Sequence, residues 1–96
     1  MNIYVAEING RGIAARNAED QFAAENYFDS KPFRNSLMTF KNEGQSLWNG
    51  NAKILVRNPR PEEVAAFDAA QATAIEIGQL KHKDDPWFYF LVPVTC

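Results

Sequence analysis

Few side chains in this 96-residue sequence are of the kinds that carry out covalent or metal-dependent chemistry. The chain has one histidine, His82, which is flanked by two lysines, and one cysteine, Cys96, at the last position. A metal site needs several histidine, cysteine or carboxylate ligands, and a nucleophilic cysteine needs a rigid position beside a base. The sequence also lacks a glycine-rich phosphate loop and a serine nucleophile motif. It therefore predicts no catalytic residue, no metal site and no cofactor.

Two pairs of adjacent carboxylates, Glu62-Glu63 and Asp84-Asp85, are the remaining candidates for general acid or base chemistry. Each pair stands where a helix or a strand is predicted to begin. Capping and the helix dipole explain carboxylates at such positions without any catalytic role. We therefore expect the protein not to be an enzyme.

The charged residues are distributed unevenly, although twelve acidic and ten basic side chains give a net charge of only −2. Residues 17–30 and residues 61–80 each contain four acids and no lysine or arginine, a charge of −4 for each segment. Residues 31–60 contain six basic residues and one acid, a charge of +5. Both predicted helices are thus acidic, whereas the strands and loops between them are basic.

An acidic helical surface is suited to binding a protein or nucleoprotein complex that has a basic surface. It would act by steric occlusion or by imitating the phosphates of a nucleic acid. The alternative is a solvated face that only keeps the protein soluble. The predicted contact residues are the carboxylates of the first acidic segment: Glu19, Asp20, Glu25 and Asp29.

Trp48 is a further candidate for protein binding. It lies in a polar segment between Gly44 and Gly50, and tryptophan is enriched among the residues that dominate protein interfaces. The alternative is a tryptophan that folds back over a small core.

A second surface offers a different function, the binding of single-stranded nucleic acid. Lys53 and Arg57 lie on the same side of one predicted strand. The last strand contributes either Trp87 and Tyr89, the pair selected here, or Phe88 and Phe90. Basic and aromatic side chains on an open sheet bind single strands, and base stacking contributes roughly 1–3 kcal/mol per base. We keep this surface as the alternative, together with a structural homodimer that pairs through the same aromatic residues.

The elements that position these residues follow from short-range patterns. Residues 3–8 alternate as a strand, Asn9-Gly10 predicts a tight hairpin turn, and residues 12–16 return as a second strand. Asn17 fits a helix N-cap, so a helix is predicted over residues 18–29. Pro32 favours a brief turn through Ser36, and residues 37–40 have the composition of a third strand.

The second half of the chain is predicted to contain a strand, a long helix and a last strand. Residues 52–57 alternate with Ile54 and Val56 on one side, and a long helix begins at Pro61. Its apolar stripe comprises Phe67, Ala70, Ala74 and Ile77. Residues 86–94 are almost entirely apolar or aromatic, which predicts a central strand covered on both faces.

The sequence thus predicts a single compact α+β domain over residues 1–96, with the order ββαββαβ. About five strands form a mostly antiparallel sheet, and two helices pack on one of its faces. One cysteine cannot form an internal disulfide, the first residues lack a signal peptide pattern, and no apolar run approaches the ~20 residues of a membrane helix. We therefore expect a cytoplasmic protein without membrane contact.

A short, acidic α/β chain with no enzyme motif resembles the small accessory proteins of phages and mobile elements. These include anti-CRISPR inhibitors, which block nucleic-acid-guided complexes. The resemblance is one of size and composition, and it assigns no functional residue. It implies a non-enzymatic inhibitor that acts by binding another macromolecule.

Overall fold

The computed structural model describes residues 2–42, 44–48, 50, 52–82, 85, 87–92 and 94. Within these residues the elements are β1 (Asn2–Ile8), β2 (Arg11–Ala18), α1 (Gln21–Phe28), α2 (Lys31–Thr39), β3 (Lys41–Asn42), β4 (Gln45–Ser46), β5 (Ile54–Arg57), α3 (Pro61–Glu76) and β6 (Phe88–Phe90). Strands β5, β1, β2 and β6 form, in that order, an antiparallel sheet, and β3 pairs with β4 separately. The predicted α+β class and mostly antiparallel sheet are confirmed. Cys96 and Asp84 lie outside the described residues.

The hairpin of β1 and β2 forms at the turn that the sequence predicts. Asn9 and Gly10 both have positive φ angles, 54° and 80°, as the favoured two-residue hairpin turn requires. Ala6 pairs with Ala14 and Glu7 with Gly12, so Ile13 is the extra residue of a bulge in β2. As a result Ile13 and Ala14 both enter the larger hydrophobic core.

Helices cover both faces of the sheet, whereas the sequence predicts them on one face. Helices α1 and α2 bury Phe28, Phe33 and Leu37 against one face, and α3 buries Phe67 against Val5 and Ala15 on the other. The reason lies in the two central strands, because residues 4–6 of β1 and 13–15 of β2 are three consecutive buried positions. Consecutive side chains of a strand point to opposite faces, so both faces need cover.

Helix α2 takes the place of the predicted third strand at residues 37–40. Pro32 stands in its first turn, as expected, but the helix continues to Thr39 instead of stopping at Ser36. Phe33 and Leu37, four residues apart, are both buried, so helical geometry places both in the core. Burial of this pair outweighs the strand-like composition of the segment.

The sequence predicts that Asn17 caps α1, but Asn17 is a buried residue of β2. The cap is Asp20, whose Oδ1 accepts a hydrogen bond from the backbone N–H of Ala23 at 2.8 Å. The side-chain amide of Asn17 instead donates to the carbonyl of Asp85 at 2.7 Å and accepts from the N–H of Trp87 at 2.8 Å. It therefore holds the segment that leads into β6.

The sequence predicts that the last strand lies at the centre of the sheet. In the sheet formed by the described residues, β6 instead lies at an edge. One of its faces packs on the core, and the other is covered only at its start. Phe88 and Phe90 pack against the core beneath α1 and α2, and the neighbouring Trp87 contacts the ring of Phe67, with 5.3 Å between ring centroids. These contacts account for Trp87, Phe88 and Phe90, whereas Tyr89 is 38% exposed at the edge of the sheet.

Helix α3 begins at Pro61, as predicted, and buries Phe67 and Ala74. Ile77, the last member of the predicted stripe, is exposed because the helix ends at Glu76 and Gly78 adopts a φ of 84°. In the part of the chain that the structure describes, no helix is long and apolar enough to span a membrane.

Candidate functional site

A groove of about 480 Å³ runs between α1 and strand β5. Strand β5 is hydrogen-bonded to β1 on one side, and no strand of the described residues pairs with its other side. The groove therefore lies along an unpaired strand edge. Its lining comes from two short segments of the chain, residues 25, 26, 28 and 29 and residues 53–56.

The wall contributed by α1 contains two of the predicted acidic residues, Glu25 and Asp29. Glu25 is exposed and accepts a hydrogen bond from the side-chain amide of Gln21 at 3.0 Å. Asp29, the C-cap of α1, forms an exposed ion pair with Arg34 of α2. Exposed ion pairs of this kind contribute about 0–1 kcal/mol, so Asp29 remains available to a competing cation.

The wall contributed by β5 is mostly apolar. Ile54 and Val56 are half-buried and pack against the core beneath α1, as the alternation of this strand predicts. Leu55 points to the opposite face and is 44% exposed. Lys53, at the start of this wall, is exposed.

Trp48 is connected to the groove through Arg34. The guanidinium of Arg34 lies 5.5 Å from the centroid of the Trp48 ring and also pairs with Asp29. The indole Nε1 donates to the carbonyl of Ala52 at 2.7 Å, directly before the β5 wall. Trp48 is half-buried against the core, so its position matches the alternative that it folds back, and it also fixes the start of β5.

The other two predicted acidic residues, Glu19 and Asp20, lie before the N-terminus of α1, and neither lines the groove. An eight-residue helix is about 12 Å long, so they stand roughly that far from Asp29. The structure thus joins Glu25, Asp29 and, through Arg34, Trp48 into one region. It leaves Glu19 and Asp20 at the other end of the helix.

Arg57, from the alternative nucleic-acid surface, is engaged in an ion cluster on the opposite face of the sheet. Its Nε donates to Glu7 of β1 at 2.8 Å, and its Nη1 and Nη2 donate to Glu63 of α3 at 2.7 and 2.9 Å. The side chains of Arg57, Glu7 and Glu63 are only 23%, 16% and 13% exposed. These hydrogen bonds raise the pKa of the guanidinium, and Arg57 together with the backbone N–H of Arg60 lowers the pKa of Glu63.

Helix α3 separates Arg57 from the aromatic residues of the same predicted surface. One row of paired residues crosses the four strands and consists of Arg57, Val5, Ala15 and Tyr89. Val5 and Ala15, in the middle of this row, are fully buried with Phe67 of α3. Tyr89 is 38% exposed and stacks on Trp87, with 6.0 Å between ring centroids. This geometry does not support a continuous basic and aromatic surface for a single-stranded nucleic acid.

Sequence reasoning missed Asn26, Leu55 and Arg34 as members of the candidate site. The alternation of residues 52–57 identifies β5 as a strand, but no local signal tells that its outer edge is unpaired. Among the described residues, no group of three histidine, cysteine, aspartate or glutamate side chains is placed to hold a metal ion.

No protein family, curated protein or solved structure matches the chain.

Proposed function

We propose that this chain is a protein-binding module and that its interface is the groove between α1 and β5. The partner contributes an extended segment that adds to the free edge of β5 as a further strand. Main-chain hydrogen bonds supply affinity in this mode of recognition, and the alternating side chains of the added strand supply specificity.

The observation that supports this proposal most directly is the groove along an unpaired strand edge. Exposed strand edges are templates for pairing, and proteins commonly protect them with charged residues, bulges or covering elements. Here the edge is flanked by the carboxylates of Glu25 and Asp29 on one side and by the exposed Leu55 on the other. An interface of this composition offers main-chain, apolar and ionic contacts within one short segment.

Steric occlusion suits this arrangement better than imitation of nucleic-acid phosphates. The four predicted carboxylates do not form one continuous array, because Asp20 caps α1 and stands with Glu19 at the opposite end of the helix from Asp29. A small module that holds a strand of its partner covers the surrounding surface, which is how an inhibitor of the phage accessory type would act. We place this interaction in the cytoplasm, since the single cysteine gives the chain no internal disulfide.

Site-specific photo-crosslinking tests the proposal. The photoreactive residue p-benzoylphenylalanine replaces Leu55 or Asn26 in the groove, and Tyr89 serves as the control position because it lies on the other edge strand with similar exposure. Each variant is irradiated in a native lysate with and without nuclease, and the adducts are identified by mass spectrometry. We expect one protein to be captured from both groove positions, to resist nuclease and to be absent from the Tyr89 sample.

Three outcomes would contradict or change the proposal. Capture of the same protein from Tyr89 would place the interface elsewhere, and loss of every adduct after nuclease would favour nucleic-acid binding. An adduct between two copies of the chain at Leu55 would replace the foreign partner with a homodimer that pairs β5 edges.

A further inference from the structure

We infer that the segment received by the groove carries arginine at alternate positions, with an apolar residue between them. This inference rests on the proposed function, because it requires strand addition at β5. It specifies the chemistry of the partner, which strand addition alone does not.

The alternation follows from the geometry of the sheet. In an antiparallel pair, residues directly opposite one another share a face. The two residues of an added strand opposite Ile54 and Val56 therefore face α1, and the residue between them shares the face of Leu55. Leu55 is exposed and apolar, so an apolar side chain is favoured at the middle position.

The two positions that face α1 favour side chains with an apolar stem and a cationic end, because the basic lining residue, Lys53, stands before β5 and away from Val56. Their stems lie beside the half-buried Ile54 and Val56, and their ends reach the wall that carries Glu25 and Asp29. Lysine and arginine both have this form. Among the described contacts, the carboxylate of Glu25 accepts a hydrogen bond only from the uncharged side-chain amide of Gln21. A cationic side chain of the partner would therefore give Glu25 an oppositely charged partner.

Phe22 favours arginine over lysine at these positions. It is 72% exposed, the highest value for a large apolar residue among those described, and it lies three residues before Glu25 and four before Asn26. Residues at these spacings share one face of a helix, so Phe22 stands on the face of α1 that carries Glu25 and Asn26, one turn before the residues that line the groove. A guanidinium can stack on an aromatic ring while it donates to a carboxylate, whereas an ammonium is a point charge without a stacking plane.

The protein already uses this arrangement internally. Arg34 lies over the Trp48 ring and pairs with the carboxylate of Asp29. The guanidinium of Arg16, on β2, lies 3.7 Å from the centroid of the Tyr27 ring. Tyr27 belongs to α1, the helix that also carries Phe22. Phe22 and Glu25, three residues apart on α1, offer a ring and a carboxylate on one helix face to a guanidinium supplied from outside.

Four capped peptides test the inference. The first is acetyl-Thr-Arg-Val-Arg-Val-Thr-amide, and in the others both arginines are replaced by lysine, glutamine or glutamate. Binding is followed by amide chemical shifts of Ile54–Arg57 in ¹⁵N-labelled protein at two salt concentrations. We expect the arginine peptide to bind about tenfold more tightly than the glutamine peptide, the lysine peptide to fall between them and the glutamate peptide to show no saturable shift.

Three variants assign the preference to the named side chains. Glu25→Gln should reduce the difference between the arginine and glutamine peptides, and Phe22→Leu should reduce the difference between arginine and lysine. Glu76→Gln removes a charge from the exposed side of α3, on the other face of the sheet, and should leave every difference unchanged.

The outcomes separate this inference from the proposed function. Equal shifts with all four peptides would overturn the arginine preference and leave strand addition intact. If no peptide shifts the β5 amides while the benzoylphenylalanine at Leu55 still captures a protein, the arginine inference fails and a protein interface remains. Failure of both experiments would overturn both.

Discussion

The side chain of Arg57 forms hydrogen bonds to two carboxylates on the face of the sheet opposite α1. It lies on β5, and its guanidinium donates to carboxylates of β1 and α3, so one side chain joins three elements. The planar fork of arginine can form parallel hydrogen bonds to one carboxylate while its Nε serves a second, which a lysine cannot do. Because the cluster is largely shielded from water, loss of one member leaves the others without compensation.

Replacement of Arg57 by methionine should therefore be costly. Removing one partner of a buried ion pair costs about 3–5 kcal/mol, and for this partly exposed cluster we expect a loss of about 2–3 kcal/mol in the free energy of unfolding. Urea denaturation measures this loss. Lys53→Met removes the same charge just before β5 and should cost less than about 0.5 kcal/mol. Equal losses for the two variants would show that the cluster adds nothing.

The same cluster predicts how stability depends on pH. The folded structure holds the pKa of Glu63 below its ordinary value of 4.5, chiefly because Arg57 donates to the carboxylate. The stability that the ionised Glu63 carboxylate contributes is therefore complete above about pH 4.5. It is lost as the pH falls through the lower pKa that Glu63 has in the folded state. Urea unfolding of the wild type and of Glu63→Gln should give a stability difference that shrinks below pH 4.5. A difference that stays constant down to pH 3 would contradict this assignment.

Between elements, the close approach of α3 to β2 depends on a glycine. Four of the five glycines have positive φ angles, whereas Gly12 is needed for space. A Cβ at Gly12 would overlap Oε2 of Glu63 and would lie 3.0 Å from Nη2 of Arg57 and 3.2 Å from Cγ1 of Val5. Helix α3 can therefore bring its carboxylate to Arg57 only because β2 has no side chain at this position.

Gly12→Ala should lower the free energy of unfolding by about 1–2 kcal/mol, because the new methyl group displaces Glu63 from Arg57. In a Glu63→Ala background the overlap with Oε2 is gone and only the contacts with Nη2 of Arg57 and Cγ1 of Val5 remain. The same substitution should therefore cost clearly less than in the wild type, since alanine also loses less backbone entropy than glycine. A double-mutant cycle by urea denaturation measures the coupling. Additivity within about 0.5 kcal/mol would mean that the two positions do not interact.

The elements that the sequence predicts well are those specified by neighbouring residues. Asn9-Gly10 encodes its own turn, Ile54 and Val56 mark the buried side of β5, and Pro61 marks the start of α3. Pairings between distant residues are not visible in this way. Arg57 pairs with Glu7, which lies 50 residues away in the sequence. The side-chain amide of Asn17 forms hydrogen bonds with the backbones of Asp85 and Trp87, which lie 68 and 70 residues away. For the same reason the charge pattern identifies Glu25 and Asp29 but not the free edge of β5 opposite them.

For the whole molecule, the sheet separates two cores of unequal size. Among the residues that the structure describes, the cluster beneath α1 and α2 contains twelve buried residues, whereas the cluster beneath α3 contains three, Val5, Ala15 and Phe67. The apolar area that each core removes from water sets most of its contribution to stability. The layer formed by α3 is therefore held by less apolar burial, and the ion cluster of Arg57 supplies an additional attachment.

We expect α3 to open before the rest of the protein. Native-state hydrogen exchange at low urea concentrations should give a lower opening free energy for the amides of α3 than for those of β1 and β2. Phe67→Ala should widen this gap while β1 and β2 remain protected. If α3 and β1 exchange with one common free energy in both proteins, the two layers unfold as a single unit.

The two tryptophans stand on opposite sides of the sheet. Trp48 packs against the core of α1 and α2, and Trp87 contacts Phe67 of α3. The protein thus contains two intrinsic optical reporters, one for each layer. Single-tryptophan variants would emit light from one side of the sheet at a time, so occupancy of the α1 and β5 groove could be followed through the Trp48 and Arg34 contact without an attached dye.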